Sequence, residues 1–141
     1  MTRLDRVARL SPQDVALLAT AWMLVARARL ALWLLPWDRI IADPEMRPAD
    51  GLSQHHAERR AWAVCAASRL VPRATCLTQA LALYGWLQRE GCRSIVQIGV
   101  ANENGRFSAH AWVEYGGIPL LATRRKIDRY ARCLTLPRAH A

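Results

Sequence analysis

Lysine is almost missing from this chain: of its 20 cationic side chains only Lys126 is not an arginine. Acids are scarce as well, 11 against those 20, which leaves a net charge of +9. Such a balance favours acidic partners, whether nucleic acid, anionic lipid or an acidic peptide, and does not choose among them. Arginine richness is also what the base composition of a coding genome can impose. There are four cysteines, Cys65, Cys76, Cys92 and Cys133, and no C-x-x-C pair, which argues against a zinc ribbon or a redox dithiol. The opening MTRLDRVARL lacks the apolar core and small-residue cleavage site of a secretory signal. A reducing cytoplasm is therefore the expected compartment, with all four cysteines as thiols and three of them in or near the core. No internal repeat or low-complexity tract appears. The adjacent His55 and His56 have no further obvious ligands near them, so neither a metal nor a cofactor is expected.

What is present is a chain of 141 residues, 52% hydrophobic, enough for one domain with a core that needs no staples. Ser11-Pro12-Gln13-Asp14 reads as a helix start: an N-cap, a proline at the first helical position, and an acid in the first turn. The segment that follows, residues 15–35, is almost wholly apolar and ends at Pro36. Its length approaches a membrane span, but Arg27 and Arg29 interrupt it. It is expected to be a long helix that covers the main domain or receives a partner, with membrane attachment as the alternative. Trp22, Trp33 and Trp37 are expected to pack this helix against the body. Residues 42–51, rich in proline and charge, are the expected linker. The chain thus divides into a helical arm with its linker, residues 1–50, and a main core, residues 51–141.

Residues 55–70 are again helical in pattern, with Trp62, Cys65, Ala66 and Leu70 as the expected buried side and Pro72 as the break. A further helix is expected from Cys76 to Arg89. Leu77, Ala80, Leu81, Tyr84 and Leu87 recur at helical spacing, and Gly91 supplies the stop. The period then changes to alternation. Residues 94–100 and 106–115 read as strands joined by a turn at Asn102-Glu103-Asn104-Gly105, and Gly116-Gly117 leads into a short strand over 118–121. Helices first and an antiparallel meander after them make the fold class α+β.

Two residues stand out by position. Cys76 falls at the start of a helix, where unpaired amides and the positive end of the helix dipole favour a thiolate and could donate to an oxyanion. His110 lies in the second long strand. Alternation there puts Phe107, Ala109, Ala111, Val113 and Tyr115 on the core face, and Arg106, Ser108, His110, Trp112 and Glu114 on the other. A histidine on that mixed face can serve a cysteine across a cleft as base and then as acid. The plainer readings are a core cysteine and an ordinary strand histidine; a spacing of 34 residues (110 − 76) does not by itself bring the two together. Trp112 is placed to wall such a cleft, and Gln79 is expected to pack.

The stretches Pro72-Arg73-Ala74-Thr75-Cys76-Leu77, Ala80-Leu81-Ala82-Leu83, Ile98-Gly99-Val100 and His110-Ala111-Trp112-Val113-Glu114, with the arginine-studded apolar helix near the N-terminus, resemble the lasso-peptide leader peptidases. These are the transglutaminase-like B proteins of lasso-peptide biosynthesis. The resemblance covers residues 10–136. It implies a transglutaminase-like, papain-like core behind an N-terminal helical arm, and a cysteine peptidase that cuts a ribosomally made precursor between leader and core segments. It also implies two partners besides the lasso precursor: a separate leader-recognition protein, and a macrolactam synthetase resembling asparagine synthetase. The family nucleophile falls on Cys76 and its base on His110. Where the family usually carries an orienting acid, this chain reads Leu120-Leu121-Ala122-Thr123. The nearest carboxylates are Asp128, the expected third member, and Glu114, its rival.

Two readings from other classes stand beside the peptidase. One is a non-catalytic scaffold that binds precursor and synthetase. The other is an arginine-rich nucleic-acid binder, ranked last because no recognition helix, nucleic-acid motif or exposed aromatic platform accompanies the charge.

Overall fold

A computed structural model of the chain describes residues 9–40, 53–122 and 124–136. The expected linker, residues 42–51, and Thr123 lie outside them. The elements run α1 (Pro12–Leu34), α2 (Trp37–Ile40), α3 (Gln54–Ser68), α4 (Cys76–Arg89), β1 (Ser94–Glu103), β2 (Arg106–Tyr115), β3 (Ile118–Leu120), α5 (Arg124–Ile127) and β4 (Ala131–Leu136). The strands form one antiparallel sheet in the order β3-β2-β1-β4. The architecture is α+β, as the change of period indicated.

α1 begins at a full capping box. The Asp14 amide donates to Ser11 Oγ and the Ser11 amide donates to Asp14 Oδ2, both at 3.1 Å. By length and composition α1 is apolar enough to cross a bilayer. Ala21, Leu24 and Val25 nevertheless sit in the same continuous core as α3, α4 and the sheet. The Asp14 carboxylate also pairs with Arg59 of α3. Trp22 and Trp33 do not pack as expected: they are 49% and 74% exposed, on the side of α1 away from that stripe.

α3 buries Ala57, Ala61, Val64 and Ala67, a stripe of small side chains that lets α1 and α4 approach closely. The sequence pointed to the opposite side. Trp62 and Leu70 are exposed, as is Cys65, because small residues fit between the three helices where large ones would not. Of the four thiols Cys92 alone is fully buried; Cys76 is half-buried, and Cys133 is exposed like Cys65.

α4 has the expected bounds. It closes in a Schellman motif, with the Cys92 amide on the Leu87 carbonyl at 2.8 Å and the Gly91 amide on that of Gln88 at 3.1 Å. Gly91 takes φ 82° to permit this. Just beyond the helix, Glu90 gathers His56 (2.5 Å), Arg60 (3.0 and 3.2 Å) and the Trp86 indole (3.1 Å), tying α3 to the end of α4.

The hairpin of β1 and β2 turns at Asn104-Gly105, both at positive φ, and β2 turns into β3 at Gly116-Gly117 in the same way. Val96, Ile98, Ala111, Val113, Leu134 and Leu136 face the helices. Phe107 and Ala109 share that face by alternation but are exposed. A ten-residue strand runs about 33 Å, whereas the 14 residues of α4 cover only about 21 Å. The hairpin tip therefore projects past its cover.

Candidate active site

Cys76 is the first residue of α4, and its position follows from the turn before it. The Ala74 amide closes a turn onto the Val71 carbonyl at 3.3 Å, with Arg73 held at φ 60°. Thr75 then caps the helix: its hydroxyl accepts the Thr78 amide at 3.3 Å, and its carbonyl accepts the Gln79 amide at 3.1 Å. The amides of Cys76 and Leu77 have no carbonyl within the helix to bond. A half-buried sulfur beside two uncommitted amides, at the positive end of a 14-residue helix, is suited to nucleophilic attack and to holding an oxyanion.

His110 sits opposite Gly99 in the β1–β2 ladder. Its ring lies 6.0 Å from that of Trp112, nearly parallel, and 5.6 Å from that of Tyr130. Nε2 is buried and has no hydrogen-bond partner among the described residues. Burial, and after it the positive charge of Lys126, holds the imidazole below its ordinary pKa, so it is a free base near neutrality. Trp112 is fully buried, and its indole N–H donates to Glu114 Oε1 at 3.0 Å. The same oxygen accepts Arg132 at 3.0 Å.

The structure brings His110, Trp112 and Glu114 onto one face of β2, with Tyr130 closing over it. Cys76 belongs to the other side. It packs at the edge of the core that Ala111 and Val113 share with α4, and no hydrogen bond joins it to His110 among the described residues. Asp128 is exposed in the turn after α5, and it does not bond the imidazole. Glu114 does not either: four residues along a strand separate it from His110 by roughly 13 Å. The groups that contact the imidazole are instead aromatic, Trp112 and Tyr130. Tyr130 escaped the sequence reading because α5 and β4 were not foreseen, and a lone tyrosine between charged residues gives no periodic signal.

The chain from residue 20 to 135 matches the transglutaminase-like superfamily, from within α1 to near the end of β4. The protein belongs to that superfamily, whose fold is of the cysteine-hydrolase type. No curated protein and no solved structure matches it.

Proposed function

We propose that the protein is a cysteine peptidase that removes the leader from a ribosomally made lasso-peptide precursor. The observation that carries the reading is Cys76 opening α4 beside two uncommitted amides, within a transglutaminase-like chain. The lasso assignment is supported by the motifs around Cys76 and His110-Ala111-Trp112-Val113-Glu114. In this reading the Cys76 thiolate attacks the scissile carbonyl, and the amides of Cys76 and Leu77 hold the oxyanion. His110, a free base at rest, becomes imidazolium by taking the Cys76 thiol proton, and the amine leaves with that proton. Water then hydrolyses the thioester, releasing the carboxylate and regenerating the thiol. The chemistry requires the imidazole to come within reach of Sγ, so His110 must leave the Trp112–Tyr130 stack past the part of β2, before Val113, that β3 does not pair. Partners in this reading are the precursor, a separate leader-recognition protein and an asparagine-synthetase-like macrolactam synthetase.

That no hydrogen bond joins Cys76 to His110 among the described residues, while Cys76 packs against the core on the Ala111 and Val113 side of β2, favours a second reading, a scaffold that binds precursor and synthetase without cutting. A mass-spectrometric cleavage assay decides between them, with precursor, leader-binding partner and synthetase supplied. Cutting at the leader–core junction by the wild type, lost in Cys76→Ala and His110→Ala, is the expected result. An intact precursor, with a Cys76 thiol no more reactive to iodoacetamide than free cysteine, would establish the scaffold.

A further inference from the structure

Along its C-terminal half α4 borders a groove of about 290 Å³, walled on the far side by α1 and α2. The floor is apolar, with Leu24, Ala28, Leu81 and Gly85 exposed to the space. The rim carries Arg27, Arg39 and Arg89, and no acid lines the groove among the described residues. None of these three arginines is ion-paired among the described residues. Three unneutralised guanidiniums around an apolar floor complement an apolar side chain flanked by carboxylates.

Gly85 is the second observation. A glycine in the interior of a helix weakens it, and a close neighbour would explain its presence. Here a Cβ built on Gly85 meets nothing within 4 Å. Packing within the chain therefore gives no reason for glycine, whereas an occupant seated against the backbone of α4 does.

We infer that this groove is an exosite for the peptide substrate, taking an acidic, apolar segment remote from the scissile bond. That the occupant is substrate rests on the peptidase reading; the groove and its charge do not. At about 1.5 Å of rise per residue, Leu81 and Arg89 stand roughly 8 and 20 Å along α4 from Cys76. About six extended residues cover the longer distance, so one peptide can occupy both places. A flat bilayer is a poorer match for a concave groove.

The test is fluorescence anisotropy with the Cys76→Ala protein, so that binding is read without cleavage. The probe is a fluorescein-labelled synthetic peptide with leucines at i, i+3 and i+4 and glutamates between them. Its control carries lysines in place of the glutamates, and phosphatidylglycerol vesicles form a third arm. The expected result is binding of the glutamate peptide alone, weakening as salt rises. Arg27→Glu, Arg89→Glu and Gly85→Leu should each reduce it about tenfold or more, with circular-dichroism melts showing all three folded. Unchanged peptide binding in all three variants would overturn the inference, as would vesicles binding through these arginines while the peptide does not. The two readings fail separately. A wild type that binds the peptide but cuts no precursor sinks the peptidase and leaves the groove as an acidic-peptide site. Cleavage with the same KM in wild type and Gly85→Leu does the reverse.

Discussion

Glu114 accepts the indole N–H of Trp112 at 3.0 Å, and through that bond it fixes the ring on which His110 lies rather than His110 itself. The carboxylate is thus a positioning group one step removed from the imidazole. Glu114→Ala would strand a fully buried indole donor and release Arg132. We expect a loss of about 1–3 kcal/mol in urea denaturation. Glu114→Gln, which keeps an acceptor for the indole, should lose less than half of that. Equal losses in the two variants would show that the charge pair with Arg132 matters and the indole bond does not.

His110 titrates below the ordinary histidine value, because burial and then Lys126 disfavour its charged form. The unfolded chain therefore binds the extra proton more readily. Stability from this group is complete above the unfolded value near 6.5 and is lost as pH falls through the lower folded value. An NMR titration of the His110 ring should place its midpoint below the ordinary histidine value. Lys126→Gln should move the His110 midpoint upward. A midpoint at or above the ordinary value would mean that the ring is solvated and not enclosed by Trp112 and Tyr130.

The helices and the hairpin were legible in the sequence because their signals are local. Ser11-Pro12-Gln13-Asp14 caps a helix by its own side chains, Gly91 stops one by its own φ, and Asn104-Gly105 turns a hairpin. What failed depends on other elements. Trp62 and Leu70 looked like core residues until α1 and α4 left room only for alanines. The fourth strand was hidden by its exposure: three of its first four residues face solvent, so ARCLTL shows no clean alternation. Cys133 sits there as an extra residue, where the ladder shifts between Ile98 and Gly99. Cys76 and His110 stood out by their local settings, and alternation placed Ala111 and Val113 on the core face of β2 and His110 on the other, as the fold has them. The side on which the start of α4 packs depends on other elements and left no local signal.

Glu90 should behave as a clasp between α3 and α4. Burial alone would raise its pKa, but the hydrogen bonds from His56 and Arg60 outweigh this and hold the carboxyl below its ordinary value. Its contribution is therefore present above the ordinary carboxylate range and lost as pH falls through the folded value. Glu90→Gln should cost about 1–2 kcal/mol at neutral pH and flatten the acid limb of the stability profile. A wild-type acid limb that persists unchanged in Glu90→Gln would assign acid sensitivity to other carboxylates, Asp14 first, whose bond to Arg59 holds it low as well.

Two glycines give opposite predictions from one substitution. At Gly99 an added Cβ would come 2.7 Å from Tyr130 Cβ and 3.1 Å from the Trp112 ring. Gly99→Ala must therefore push Tyr130 off the face that carries His110, at about 1–3 kcal/mol, and raise the His110 midpoint as water enters. At Gly85 the added methyl meets open space in the middle of a helix. Gly85→Ala should stabilise the protein by about 0.5–1 kcal/mol. Thermal melts of both variants beside the wild type check the pair, and the ring titration of Gly99→Ala is the sharper readout. If Gly99→Ala melts lower but His110 titrates as before, Tyr130 is packing on Trp112 alone, and the enclosure of the imidazole is Trp112's work.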